Sequence, residues 1–258
     1  MSRSGPPDRD GDDVKSISAV LPAYNEEEVI ADSVAAMVVT FESLAADYEV
    51  IVVNDGSRDR TAAIVEDIGA RNPRVRVVSH PRNRGYGAAL WTGFTSATKD
   101  LVFLTDGDKQ FDVAELADFL PLLDGADMVI GYREPRADPF IRRLNGWGWN
   151  TIVTLLFGYT ARDVDCAFKL FRRSLLDRVD VRATGATFSA EFLIKARRLG
   201  YVIRERNASH YPRGAGQATG ARPAVILRAF RELFRLRLSL DQELARTPKA
   251  RKAAGPGL

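Results

Sequence analysis

Asp106-Gly107-Asp108 stands directly after the apolar run Leu101 to Leu104. Two carboxylates one residue apart at a strand end can share a hard divalent cation, which takes oxygen ligands. Gln110 offers a further neutral oxygen, and Gly107 lets the backbone come close to a bulky ligand. A cation held there would neutralise a diphosphate and stabilise it as a leaving group. A solvated acidic turn would carry the same letters, and it is the position at a strand end that favours the metal reading. Asp55 also follows an apolar run, Tyr48 to Asn54, and precedes Gly56-Ser57. A carboxylate there can accept from a base N–H or from ribose hydroxyls, while Ser57 is the better cap for a helix starting near Arg58. Arg133 and Arg213 are isolated loop arginines of the kind that can clamp a phosphate, although most surface arginines do nothing specific. His80 and His210 lack metal-ligand spacing and receive no role, and Cys166 reads as a small core residue.

Such residues need a scaffold that gathers strand ends. Strand patterns at Ser16 to Leu21, Tyr48 to Asn54, Val75 to Ser79, Leu101 to Thr105 and Met128 to Gly131 alternate with helical stretches, the first from Glu26 to Leu44. That alternation predicts an α/β fold with a mostly parallel, doubly wound sheet, whose ligands sit beyond the C-terminal strand ends. Polar clusters follow the strands at Pro22 to Glu26, Asn54 to Ser57, Asp106 to Gln110 and Tyr132-Arg133, so they converge on one edge. In the second half, helices are predicted over Pro139 to Phe157, Thr187 to Leu199 and Pro223 to Leu240, with strands at Ala167 to Phe171 and Tyr201 to Arg206. Gly85-Tyr86-Gly87 opens a helix, but Leu90 stands where a dinucleotide fingerprint needs its third glycine, and there is no P-loop. That argues against a Rossmann oxidoreductase or an NTPase.

The 258 residues, 45% hydrophobic and 28% charged, suit one large soluble domain. A single cysteine excludes a disulfide framework and points to a reducing, cytoplasmic compartment. No stretch approaches the roughly 20 apolar residues that cross a bilayer, and residues 1–14 lack the apolar core of a signal peptide. From Arg222 onward nine basic residues face three acidic ones, a charge of +6, so the remainder of a chain of net +3 carries −3. A basic tail on an acidic body suits an anionic partner. Without a recognition motif that partner is not nucleic acid. On a helical wheel Ile226, Leu227, Phe230, Leu233 and Phe234 share an arc opposite Arg228, Arg231 and Arg235. That pattern fits a helix lying on an anionic membrane surface, or equally a helix packed on the domain with a solvated basic face. Trp147 and Trp149 suit a membrane interface or a core. The expected organisation is a disordered lead-in at 1–14, a catalytic domain at 15–221, a basic amphipathic helix at 222–240 and a loose tail at 241–258.

The order of motifs resembles a known family. PAYNEEE at 22–28, VVNDGSRDRT at 52–61, RNRGYGAAL at 82–90, LTDGDKQFD at 104–112 and GYRE at 131–134 are followed by DVDCAFKLFRR at 163–173, FSAEFLIKARRLGY at 188–201 and HYPRGAGQATG at 210–220. Together they resemble the family-2 glycosyltransferases of the glycosyltransferase-A fold, and within them the polyprenyl-phosphate (dolichol-phosphate) mannosyltransferases. The resemblance implies that Pro22, Ala23, Tyr24, Glu26, Val53 and Asp55 hold the nucleotide. It implies that Asp106, Asp108 and Gln110 bind Mg²⁺ or Mn²⁺, that Gly107 lines the same site, and that Arg133 and Arg213 contact phosphates.

The implied reaction is transfer of one hexose, with inversion, from a nucleotide sugar (GDP-mannose, or UDP-glucose) to a polyprenyl monophosphate. The enzyme would sit on the cytoplasmic face of a membrane, docked peripherally or through a small membrane protein subunit. Two features depart from the family pattern: Asn54 stands where an acid is usual, and Gln217-Ala218-Thr219 where Ser-Lys is usual. A lipid phosphate is already an anionic nucleophile, whereas a sugar hydroxyl needs a base. Glu191 is the candidate base in that case. Family-2 transfer to a hydroxyl acceptor, and a non-catalytic nucleotide-sugar-binding subunit, stand as alternatives.

Overall fold

Nearly continuous apolar, β-branched runs make strands that are covered on both faces. The computed structural model describes residues 16–44, 46–134, 140–212 and 223–246, with side chains at 140–142, 223–227 and 244–246 excepted. Its elements are β1 (Ser16–Ala23), α1 (Ile30–Ser43), β2 (Asp47–Asn54), α2 (Thr61–Arg71), β3 (Val75–Ser79), α3 (Tyr86–Ser96), β4 (Leu101–Leu104) and a short α4 (Leu116–Phe119). Then come β5 (Met128–Arg133), α5 (Phe140–Phe157), β6 (Lys169–Arg172), α6 (Phe188–Arg198), β7 (Ile203–Ala208) and α7 (Pro223–Arg246).

The strands form one seven-stranded sheet in the order β3-β2-β1-β4-β6-β5-β7. Every pairing is parallel except those of β6, which runs against both β4 and β5. Alternate residues of each strand feed two apolar layers. Val20 joins Phe94, Phe171, Phe188 and Phe192 on one face, while Ile17, Ala19 and Leu21 join Phe41, Phe103, Phe119 and Phe168 on the other. Strand order reverses between β1 and β4, the place where an open α/β sheet leaves a crevice for a ligand.

Several local expectations are corrected. The helix expected from Glu26 starts only at Ile30, because residues 24–28 are taken up in a loop. There the amides of Asn25, Glu26 and Glu27 donate to the side chains of Ser57, Thr61 and Asp59. Ser57 is thus a loop acceptor and not a helix cap, and α2 begins at Thr61 without a side-chain cap. The C-terminal helix continues past Leu240 to Arg246, and its Leu233, Leu236 and Leu240 are buried in the same apolar cluster as α6. Part of the predicted apolar arc therefore faces the domain, while Phe234 and Leu238 stay exposed. Trp147 is exposed, and Trp149 is half-buried with its ring 6.2 Å from that of Phe230.

A buried ion chain ties α7 down. Lys195 of α6 donates to Glu191 at 2.6 Å, to Glu243 of α7 at 2.8 Å and to the carbonyl of Asp180 at 2.8 Å. Burial works to raise the Glu243 carboxyl, but hydrogen bonds from Lys195 and Ser239 outweigh it and hold the group below its ordinary value. Its stabilisation is therefore present at neutral pH and lost as acid protonates it. Removing one member of a buried ion network leaves the others uncompensated. Lys195→Met is expected to destabilise the fold by about 3–5 kcal/mol in urea unfolding at pH 7, with the deficit shrinking toward pH 4.

Candidate functional site

The C-terminal ends of the parallel strands bring the predicted clusters to one edge, and antiparallel β6 contributes the residues before it. Asp55 follows β2 and is 3% exposed; Asp108 follows β4 and is 2% exposed. Lys169 pairs in register with Leu104 and with Ile130, so the segment 163–168 opens onto the same edge as the two acids after β4.

Asp55 accepts from three groups. Its Oδ1 meets Nδ1 of His80 at 2.7 Å and accepts the amide of Arg84 at 2.9 Å, and its Oδ2 accepts the amide of Gly85 at 2.9 Å. The other ring nitrogen of His80 lies 2.9 Å from Oγ1 of Thr92 on α3. The amide of Asp55 donates to the carbonyl of Ala23, which fixes the β1 and β2 ends together. Gly56 has φ +71°, and a Cβ there would lie 2.4 Å from the carbonyl carbon of Arg82, so this crossing requires glycine. Pro22 and Ala23 extend β1 opposite Val53 and Asn54, and Tyr24 is an exposed ring just beyond. Glu26 is half-exposed in the 24–28 loop, whereas Val53 is fully buried in the core between Pro22 of β1 and Val78 of β3.

Asp106 accepts the Tyr86 hydroxyl on Oδ1 at 3.0 Å. Burial of the hydroxyl, then the negative charge of Asp106, Asp165 and Asp108, pushes the phenol well above its ordinary value and keeps it a donor. Asp108 Oδ1 accepts the amide of Gln110 at 3.1 Å. The Gln110 side-chain nitrogen, Nε2, donates to the carbonyl of Tyr211 at 3.1 Å and lies 3.3 Å from Nε2 of His210. Through this nitrogen Gln110 straps residues 210–211, and the expected cation contact would fall to its side-chain oxygen. A Cβ on Gly107 would meet Ile30 only at 3.4 Å, so protein packing alone does not demand glycine at this position.

Arg133 faces Asp163, with Nε at 2.7 Å from Oδ2 and Nη2 at 2.8 Å from Oδ1. Burial works to lower its pKa, but Asp163 outweighs that and raises it. Any phosphate contact would have to use the opposite edge of the fork. Lys169, buried with its pKa pushed down by desolvation, donates to the carbonyls of Val164 (3.2 Å) and Cys166 and so holds the turn that carries Asp163 and Asp165. Burial pushes the Cys166 thiol up to about 12, which fits a core residue. Arg213 lies outside the described residues. Sequence reasoning missed His80, Tyr86, Asp163 and Lys169. The available signals were the position of His80 directly after β3 and of Lys169 at the start of β6.

The sequence matches the family model for glycosyl transferase family 2 over residues 18–180. The chain is a member of glycosyl transferase family 2. The structure of this glycosyltransferase is similar to glucosyl-3-phosphoglycerate synthase from Mycobacterium tuberculosis solved with phosphoglyceric acid, at 24% identity over 86% of this chain and 79% of that one, with a TM-score of 0.67. The same enzyme solved with Mn²⁺, UDP-glucose and phosphoglyceric acid is 23% identical over 86% and 80%, with a TM-score of 0.66. Mannosyl-3-phosphoglycerate synthase from Rubrobacter xylanophilus is 18% identical over 95% and 78%, with a TM-score of 0.69. These likenesses establish the glycosyltransferase-A fold.

Asp55→Asn would turn an amide donor toward the Gly85 N–H or lose the His80 contact. Hydrogen exchange at Arg84 and Gly85 is expected to quicken at least about tenfold, an effect of about 1.4 kcal/mol, while amides in β1 stay protected.

Proposed function

We propose that this family-2 glycosyltransferase moves a hexose from a nucleotide sugar to an acceptor phosphate, with polyprenyl monophosphate as the acceptor. The donor reading draws support from the strand-end acids and from the Mn²⁺ and UDP-glucose that the similar mycobacterial enzyme is solved with. Asp55 and the turn from Pro22 to Glu26 bind the nucleoside, and Asp106 and Asp108 hold Mg²⁺ or Mn²⁺. The donor set fits such an ion. Among the described residues no three His, Cys, Asp or Glu side chains form a ready cage. Magnesium in particular is commonly held by one or two carboxylates with substrate phosphates and water completing its shell. When bound, the cation neutralises the diphosphate and makes it a better leaving group.

The observation that carries the acceptor reading is the state of Glu191. This carboxylate is the candidate base for a hydroxyl acceptor. Its Oε1 accepts the amide of Arg182 and the Lys195 ammonium, and its Oε2 accepts the amide of Ala183. It is buried and tied by these three donors to the 182–183 turn and to the lysine of its own helix, the setting of a structural group and not of a base open to an acceptor. A phosphate monoester needs no base: its oxygen attacks the anomeric carbon, the bond to the donor diphosphate breaks, and the electron pair leaves on that diphosphate. Phosphoglycerate, an acceptor with a hydroxyl beside its phosphate, is the second reading, favoured by the glucosyl- and mannosyl-3-phosphoglycerate synthase likenesses.

A lipid acceptor calls for a surface that meets a membrane. Leu144, Trp147 and Leu155 form an exposed stripe on α5, Trp147 being 67% and Leu155 79% exposed. Phe234 and Leu238 of the adjoining α7 are exposed as well, as are Arg143, Arg231, Arg235 and Arg237. Apolar anchors flanked by cations suit an anionic interface. No helix among the described residues is long and apolar enough to cross a membrane.

Three measurements test this reading. A panel of labelled nucleotide sugars with polyprenyl phosphate, phosphoglycerate or a sugar alcohol is expected to give product with the lipid phosphate. Product with phosphoglycerate alone would move the assignment to the second reading. Asp108→Asn should lower turnover at least about 100-fold, the scale for removing one charge-stabilising group, with its unfolding curve unchanged; near-normal turnover in Mg²⁺ would remove the metal assignment. The pair Trp147→Glu and Leu155→Glu should abolish flotation with anionic vesicles while nucleotide binding persists, and wild-type flotation should weaken as salt rises.

A further inference from the structure

We infer that Tyr86 is a positioning residue for Asp106, setting the carboxylate that meets the cation. The inference rests on the metal reading proposed above and adds to it a residue outside the acidic motif. Tyr86 is the first residue of α3 and is 37% exposed, so its ring is not there to fill the core. Its hydroxyl donates to Asp106 Oδ1 at 3.0 Å.

The backbone that carries Tyr86 is held from two sides. On one side Asp55 accepts the amides of Arg84 and Gly85, and His80 braces Asp55. On the other side the Ala88 amide donates to the Thr184 carbonyl at 3.2 Å. Gly85, at φ +100°, allows that approach, since a Cβ there would sit 2.6 Å from the Thr184 oxygen. The phenol is therefore presented from a fixed point, and it fixes the rotation of the Asp106 carboxylate. A carboxylate has about four acceptor positions, so a donor on one leaves others for a cation. Hydrogen-bond partners of metal ligands commonly set their orientation in this way.

The same geometry runs without a break from the nucleoside-binding acid to the metal-binding acid: Asp55 grips residues 84 and 85, and residue 86 grips Asp106. A nucleotide seated against Asp55 would steady the turn that positions Asp106, so cation affinity and nucleotide affinity should reinforce each other.

The test measures Mn²⁺ binding by electron paramagnetic resonance, with and without nucleoside diphosphate, in the parent and in Tyr86→Phe. The variant is expected to bind Mn²⁺ about tenfold to 100-fold more weakly, with unchanged unfolding and unchanged nucleotide binding in the absence of cation. In an Asp106→Asn background, adding Tyr86→Phe should cause no further loss. Equal Mn²⁺ affinity in parent and variant overturns the inference alone, as does a full additional loss in the Asp106→Asn background. A parent that takes up no Mn²⁺ even with nucleotide overturns both this inference and the metal reading.

Discussion

Three donors meet on the buried carboxylate of Asp55, and much of the site depends on that junction. It joins the end of β2 to His80 after β3 and to the amides that open α3. An isolated buried carboxylate would be severely penalised by desolvation, so its hydrogen-bond partners are a condition of its being there. Because the partners include backbone amides, the carboxylate determines where the chain between β3 and α3 can run. The loop from Arg82 to Gly85 lies against Gly56 because of this constraint, and Tyr86 arrives beside Asp106 for the same reason.

The opposite side of the site is organised by cations. Lys169 is buried among carbonyls at the head of β6, and Arg133 faces Asp163 at the end of β5. Each of these charges is unfavourable to bury alone. Together they hold the turn from Asp163 to Cys166 against the sheet. The site is thus framed by an acid that gathers amides on one side and by bases that gather carbonyls and a carboxylate on the other.

The sequence showed the architecture well where periodicity and position coincide. Val50 to Val53 reads as a doubly covered strand, and Asp55, Asp106 and Asp108 read as edge residues because each follows such a run. Polar partnerships between distant segments were not legible. Nothing local in His80 shows that it meets Asp55, and nothing in Glu191 shows that both its oxygens bind residues 182, 183 and 195. The Ser57 reading failed because residues 24–28, far away in sequence, compete for its hydroxyl. The helical wheel of the C-terminal segment gave the apolar arc without saying what it meets. The structure divides that arc, with Leu233 inside and Phe234 outside, because the helix lies against α6 along one stripe only.

The reversed strand β6 has a consequence for how the chain is made. In sheet order β5 lies between β6 and β7, and both of those follow it in sequence. As the polypeptide leaves the ribosome, β1 to β4 can assemble as a parallel half-sheet with all their mutual neighbours present. Strand β5 then emerges with neither neighbour yet synthesised, carrying Met128, Val129 and Ile130, all buried in the finished fold. It stays unpaired until residues 169–172 appear and is enclosed only after 203–208. Unpaired apolar strands are templates for association between chains. The interval between β5 and β6 is thus the stage of synthesis at which a nascent-chain chaperone has most to protect.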